Sequence, residues 1–185
     1  MRSSDKKPKL TSYDDIFSTE ESRQQEHIQW TSLRELHPFK NHPFRVLDDD
    51  RMMETVESVK AYGVLVPIIA RPSEDGYEIV SGHRRKRACE LAGLDEIPVI
   101  VRNLDDDEAV IIMVDSNLQR ENILPSERAK AYQMKLEAIK RQTARGRPVG
   151  DNSRQVGENY SVSKVAEDLG ESERQVQRFI RLNQL

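Results

Sequence analysis

Short apolar runs alternate with helical repeats between residues 50 and 101, and that alternation constrains the fold most strongly. Met52, Val56 and Val59 recur at helical spacing, and Gly63 follows as a C-terminal stop. VPIIARP then reads as a short buried strand bounded by prolines. Glu74, Asp75 and Gly76 make a turn, and residues 77–80 a second strand. Gly82 opens a helix whose expected core face is Ala88, Leu91 and Ala92, stopped by Gly93. Residues 97–101 form a third strand. Helix, strand pair, helix, strand is the order of a small mixed α/β domain.

From Leu104 onward every apolar repeat is helical, so the fold class is α+β with an all-α second part. Asp105, Asp106, Asp107 and Glu108 crowd a helix start, where the macrodipole favours negative charge. Residues 110–114 are almost wholly apolar and read as a buried helix. Pro125 begins another, with Ala129, Tyr132, Leu136 and Ile139 as its stripe. Gly146, Pro148, Gly150 and Gly157 mark residues 142–160 as a flexible loop. The expected division is a tail over 1–28, a first domain over 29–115 and a helical domain over 116–185.

Composition excludes several classes. No run approaches 18 consecutive apolar residues, so no membrane span is expected. MRSSDKKPKL has no hydrophobic signal segment, and a cytoplasmic protein is expected. The single cysteine, Cys89, forms no internal disulfide and reads as a small core residue. The net charge is -3, from 29 basic and 32 acidic residues, so any nucleic-acid contact must come from local patches.

One patch lies at residues 161–182, which read as a helix-turn-helix. Val165, Ala166 and Leu169 make the inner face of its first helix, and Gly170 supplies the turn. Ser172 caps the second helix, with Gln175 completing a capping box. Val176, Phe179 and Ile180 face inward. Arg174, Gln175, Gln177, Arg178 and Arg181 remain on the outer face, side chains suited to phosphates and base edges. Residues 120–150 add eight basic residues against three acidic ones, an excess suited to a phosphate backbone.

The second patch is Ser81-Gly82-His83-Arg84-Arg85, where a strand hands over to a helix. The first-turn N–H groups have no intrahelical partners and suit an anion. Consecutive cations at a helix N-terminus are otherwise unfavourable, and a polyphosphate would account for them. A solvated basic helix face is the plain alternative. The P-loop pattern is absent.

Four segments together resemble the ParB family of partition proteins. Asn41-His42-Pro43-Phe44-Arg45 resembles its first box, and Gly63-Val64-Leu65-Val66-Pro67 its turn into the sheet. Gly82-His83-Arg84-Arg85 with Arg87-Ala88 resembles its G-E-R-R-x-R-A box, and Asn117-Leu118-Gln119-Arg120-Glu121 its E-N-L-Q-R-E box. The resemblance implies a ParB/sulfiredoxin-like fold and a homodimer that binds a centromere-like site on double-stranded DNA. It implies CTP and Mg2+ in the first domain, with nucleotide-driven clamp closure. Ser81, Gly82, His83, Arg84, Arg85 and Arg120 would hold the nucleotide, and Asn117 would sit at the metal. A ParA-type ATPase would meet the tail, through Lys6, Lys7 and Lys9, on a nucleoid-associated protein.

Two departures bear on chemistry. His83 stands where the family has Glu; sulfiredoxins carry G-C-H-R there, but no cysteine lies in this turn, so thiol chemistry is not expected. Ser116 replaces the Glu of the second box, and a hydroxyl is a poorer magnesium ligand than a carboxylate. CTP hydrolysis is therefore expected to be weak or absent. Two other readings compete. One is a transcriptional or mobile-element regulator without nucleotide control. The other is a phosphoryl-transfer enzyme or nuclease using Glu78, Asp115 or Glu121.

Overall fold

The computed structural model describes residues 27–118, 123–145 and 158–183, with side chains from 162 in the last segment. Five strands form one sheet: β1 (Ile28–Ser32), β2 (Leu36–His37), β3 (Ile68–Ser73), β4 (Gly76–Ser81) and β5 (Glu96–Val101). Their order is β1-β5-β3-β4-β2. β3 and β4 form the expected hairpin, β3 runs parallel to β5, and β1 closes one edge antiparallel to β5.

The two sheet faces bury different helices. α1 (Asp50–Tyr62) and α2 (His83–Ala92) lie on one face, where Met52, Val56, Val59, Ala88 and Cys89 meet Ile68, Ala70, Ile79, Ile97 and Val99. Asp49 caps α1 by accepting from the Met52 N–H at 2.9 Å. α3 (Asp106–Leu118) covers the other face, where Ala109, Met113 and Val114 pack with Val80, Phe39 and Phe44. Asp105 and Glu108 close a capping box at its start, each accepting from the other's N–H.

α4 (Pro125–Ala144) is buried on two sides. Ala131 joins the α3 cluster, whereas Tyr132, Leu136 and Ile139 pack against α5 (Glu158–Leu169) and α6 (Glu173–Leu182). These last two helices are the expected helix-turn-helix, joined at Gly170 with φ +63°. Val165, Ala166 and Val176 are buried between them, and the Tyr132 and Phe179 rings meet edge to face at 5.5 Å.

Several expectations need correction. Leu91 is exposed; Cys89 takes the core position, because α2 turns its Ala88–Cys89 side toward the sheet. α3 runs unbroken through the 115/116 boundary, since Asn117 is still buried. α4 continues to Ala144 and α5 begins at Glu158, so residues 142–144 and 158–160 are helix and not loop. Of the expected tail, residues 1–26 lie outside the described residues, with Lys6, Lys7 and Lys9.

Burial pushes the Cys89 thiol up to about 11. It is 0% exposed, so alkylation at neutral pH should be negligible in the folded chain and complete in denaturant. Mass spectrometry after iodoacetamide treatment checks this; rapid native labelling would contradict the packing.

Candidate functional site: a basic helix mouth and a helix-turn-helix face

The basic turn sits at the end of β4. Gly82 is the N-cap of α2, with φ +109° and no side-chain cap. A Cβ there would lie 2.5 Å from Ile68 Cγ2, so the turn is pressed onto the sheet. The amides of the first turn of α2 are left without intrahelical acceptors.

The residues of this box have separate tasks. Ser81 ends β4 opposite Ile69. His83 is buried; its Nε2 accepts from the Phe39 N–H at 3.3 Å, and its ring lies 3.9 Å from that of His42. Arg85 turns inward and donates to the Val66 and Pro67 carbonyls at 3.1 and 2.6 Å. Arg84 lines a cleft of about 670 Å³ with Arg45, Arg51, Asp49, Thr55 and Glu127. Only Arg84 of this box faces that cleft, and its guanidinium pairs with Asp49 at 3.0 Å. That cation holds the Asp49 carboxyl below the usual carboxylate range, with help from the Met52 N–H. An incoming anion would compete with Asp49 for Arg84. Glu127, not foreseen from the sequence, accepts from Arg45 N and Leu124 N and ties the two rims together.

Asn117 does not line this cleft. Its Nδ2 donates to the Met113 carbonyl at 2.7 Å, and its buried Oδ1 accepts from no described residue. An amide oxygen of that kind suits a hard cation such as Mg2+. Ser116 Oγ donates to Met113 O at 3.1 Å and accepts from Asn117 Nδ2 at 3.4 Å. Arg120, Gln119 and Glu121 lie outside the described residues, but Ile123 and Leu124, just beyond them, line the cleft. Among the described residues no cluster of His, Cys, Asp and Glu is built for a metal. Glu78 binds Arg71 at 2.6 Å and Asp115 binds Lys135 at 2.6 Å, so neither is brought to Arg84.

The helix-turn-helix face is simpler. Ser172 caps α6, accepting from Gln175 N at 3.3 Å. Arg174, Gln177, Arg178 and Arg181 line one shallow concavity of about 290 Å³, with Gln175 exposed on the first turn of the same helix. No described carboxylate pairs with Arg174, Arg178 or Arg181. Four of the eight basic residues of 120–150 have partners within the fold, which leaves fewer of them for a phosphate backbone than the sequence alone suggests. Lys135 is fully buried, Arg128 pairs with Glu171, and Arg141 and Arg145 hold the buried Asp107.

A family model, "ParB N-terminal domain", matches residues 18–118. The chain belongs to this family. Chromosome-partitioning protein Spo0J of Thermus thermophilus is 39% identical over 118 residues, covering 64% of this chain and 44% of the relative. Stage 0 sporulation protein J of Bacillus subtilis is 43% identical over 108 residues, covering 58% and 38%. The chain thus spans less than half the length of these two curated ParB relatives. Among solved structures, C-terminally truncated ParB from Caulobacter crescentus, complexed to the centromeric parS site, is 28% identical. It covers 85% of this chain and 72% of its own, with a TM-score of 0.56. The mixed α/β ParB fold expected from the sequence is therefore present, followed by the helical part. No described helix is long and apolar enough to cross a membrane.

Proposed function

We propose that this chain is a DNA-binding partition protein of ParB type whose α5–α6 head reads a centromere-like duplex. The observation that carries this is the outer face of α6, where three arginines and a glutamine share one concavity and none of those arginines meets a described carboxylate. Arginine and glutamine there can bind base edges bidentately, and arginine also phosphates. The Caulobacter relative, seen with parS, supports the same role for this head.

The first domain, in this reading, binds CTP with Mg2+ and gates closure of a homodimer on DNA. The α2 amides and Arg84 would take the phosphates, with Ser81, Gly82, His83 and Arg85 shaping the turn. Asn117 would supply one oxygen to the metal, which neutralises phosphate charge when bound. Arg120 would complete the phosphate site. With Ser116 in place of a carboxylate, hydrolysis is weak or absent. The tail would meet a ParA-type ATPase, and DNA would hold the protein at the nucleoid.

Equilibrium binding of labelled CTP, ATP and GTP, with and without a centromeric duplex, tests the reading. CTP-selective binding is expected. Arg84→Ala should lower nucleotide affinity by about 1.5–3 kcal/mol, the worth of a charge-assisted phosphate contact. Unchanged affinity removes Arg84 from the site. Duplex binding with no nucleotide binding at all leaves the regulator reading instead.

A further inference from the structure

Lys135 lies in the middle of α4 with its side chain 0% exposed. Its Nζ is 2.6 Å from Asp115 Oδ1 on α3 and 3.0 Å from Asp168 Oδ2 on α5. A buried ammonium is tolerated only while its counter-charges stay in place. The two carboxylates come from two different helices that meet at this ammonium. α3 packs on the sheet, whereas α5 belongs to the DNA-reading head. Around this link α4 makes apolar contacts in both directions, which tolerate small slippage. The ion pair does not: its strength depends on distance and direction.

The charges of the link are also unevenly shared. Asp168 is held by Lys164 as well, whose Nζ lies 3.2 Å from its other oxygen. If α3 withdraws Asp115, the buried Lys135 is left with Asp168 alone and shares it with Lys164, which also has Glu167 at 3.4 Å. Asp115 stands two positions before Asn117, the residue placed at the metal. Any rotation or shift of α3 that follows ligand binding at Asn117 therefore acts on Lys135 directly.

We propose that Lys135 is the coupling residue that reports the position of α3 to α5, and so links the first domain to the DNA-binding head. It touches neither ligand and acts by positioning. What moves α3 rests on the nucleotide reading above; the link itself does not.

Hydrogen exchange on the full chain separates the two. Asp115→Ala, a change on α3, should speed amide exchange in α5. In a Lys135→Met background, which keeps the side-chain volume, the same change should leave α5 unaffected. Wild-type α5 exchange in Asp115→Ala, or an equal increment in both backgrounds, overturns the proposal. Asp168→Asn replaces Lys135→Met in both arms if the latter does not fold. In the second arm, duplex affinity is measured with and without Mg-CTP. A shift of about fivefold or more is expected in the wild type, shrinking below about twofold in Lys135→Met while each ligand still binds alone. An undiminished shift also overturns the proposal. If CTP binds to no variant, the nucleotide reading fails and the exchange experiment still decides the link.

Discussion

Gly82→Ala is expected to destabilise the chain by about 2–5 kcal/mol and to abolish nucleotide binding with it. Two costs add. An alanine at φ +109° sits in a backbone region that L side chains rarely adopt. Its Cβ would also lie 2.5 Å from Ile68 Cγ2 and 3.0 Å from Ile68 Cβ. Ile68 is 0% exposed and packs among Val99, Ile79 and Ala88, so it has no open space to enter. The turn must move instead, and with it the first amides of α2 and the root of Arg84. Gly93→Ala is the control. Gly93 also has positive φ, +76°, but nothing lies within 4 Å of a Cβ there. It should lose only the backbone part, about 1–2 kcal/mol, and keep the site. Thermal unfolding reads the difference, at roughly 2–4 °C per kcal/mol for a chain of this size. Equal losses in the two variants would show that the clash at Ile68 is relieved without cost, and retained binding in Gly82→Ala would place the anion elsewhere.

Gly82 was legible in the sequence because a lone glycine between an apolar strand and a row of cations marks a sharp turn where a side chain would be in the way. The division of labour among those cations was not. Arg84 and Arg85 are neighbours, so helical geometry sends them about 100° apart, but which direction faces the cleft depends on residues far along the chain. The carbonyls that hold Arg85 belong to Val66 and Pro67, and the far rim of the cleft to Glu127. β3, β4 and β5 stood out as apolar runs bounded by turns. β1 did not, because an edge strand with exposed Ile28 and Trp30 among polar residues has no clear apolar period. β2, with two residues, is too short to leave one. Lys135 is one of the eight basic residues counted over 120–150, and nothing in its neighbourhood along the chain sets it apart. Its nearer-sequence partner, Asp115, lies 20 residues away on another helix, and no local pattern announces that pairing.

The head makes the other large prediction. α6 is held from behind by Val176, which is fully buried, and by Phe179 against Tyr132, so its outer face is fixed in direction. Arg128 reinforces this, with its guanidinium 5.7 Å from the Phe179 ring centre and paired to Glu171 in the turn. Arg174, Arg178 and Arg181 are thus presented on a rigid helix with no described carboxylate to neutralise them. Arg178→Ala should weaken duplex binding by about 1–3 kcal/mol, and Arg174→Ala/Arg178→Ala by up to about 6 kcal/mol if the contacts are independent. Titrations across salt concentration separate two kinds of contact. A lost phosphate contact lowers the slope of log K against log salt by about 1 and weakens centromeric and random duplexes alike. A lost base contact leaves that slope nearly unchanged and erases the preference for the centromeric duplex. Nucleotide affinity without DNA should stay at the wild-type value, because Arg84 and its cleft share no residue with this concavity. Wild-type duplex affinity in the double variant would mean that DNA is gripped by another surface, and the two-helix head would then be only a cover for the apolar side of α4.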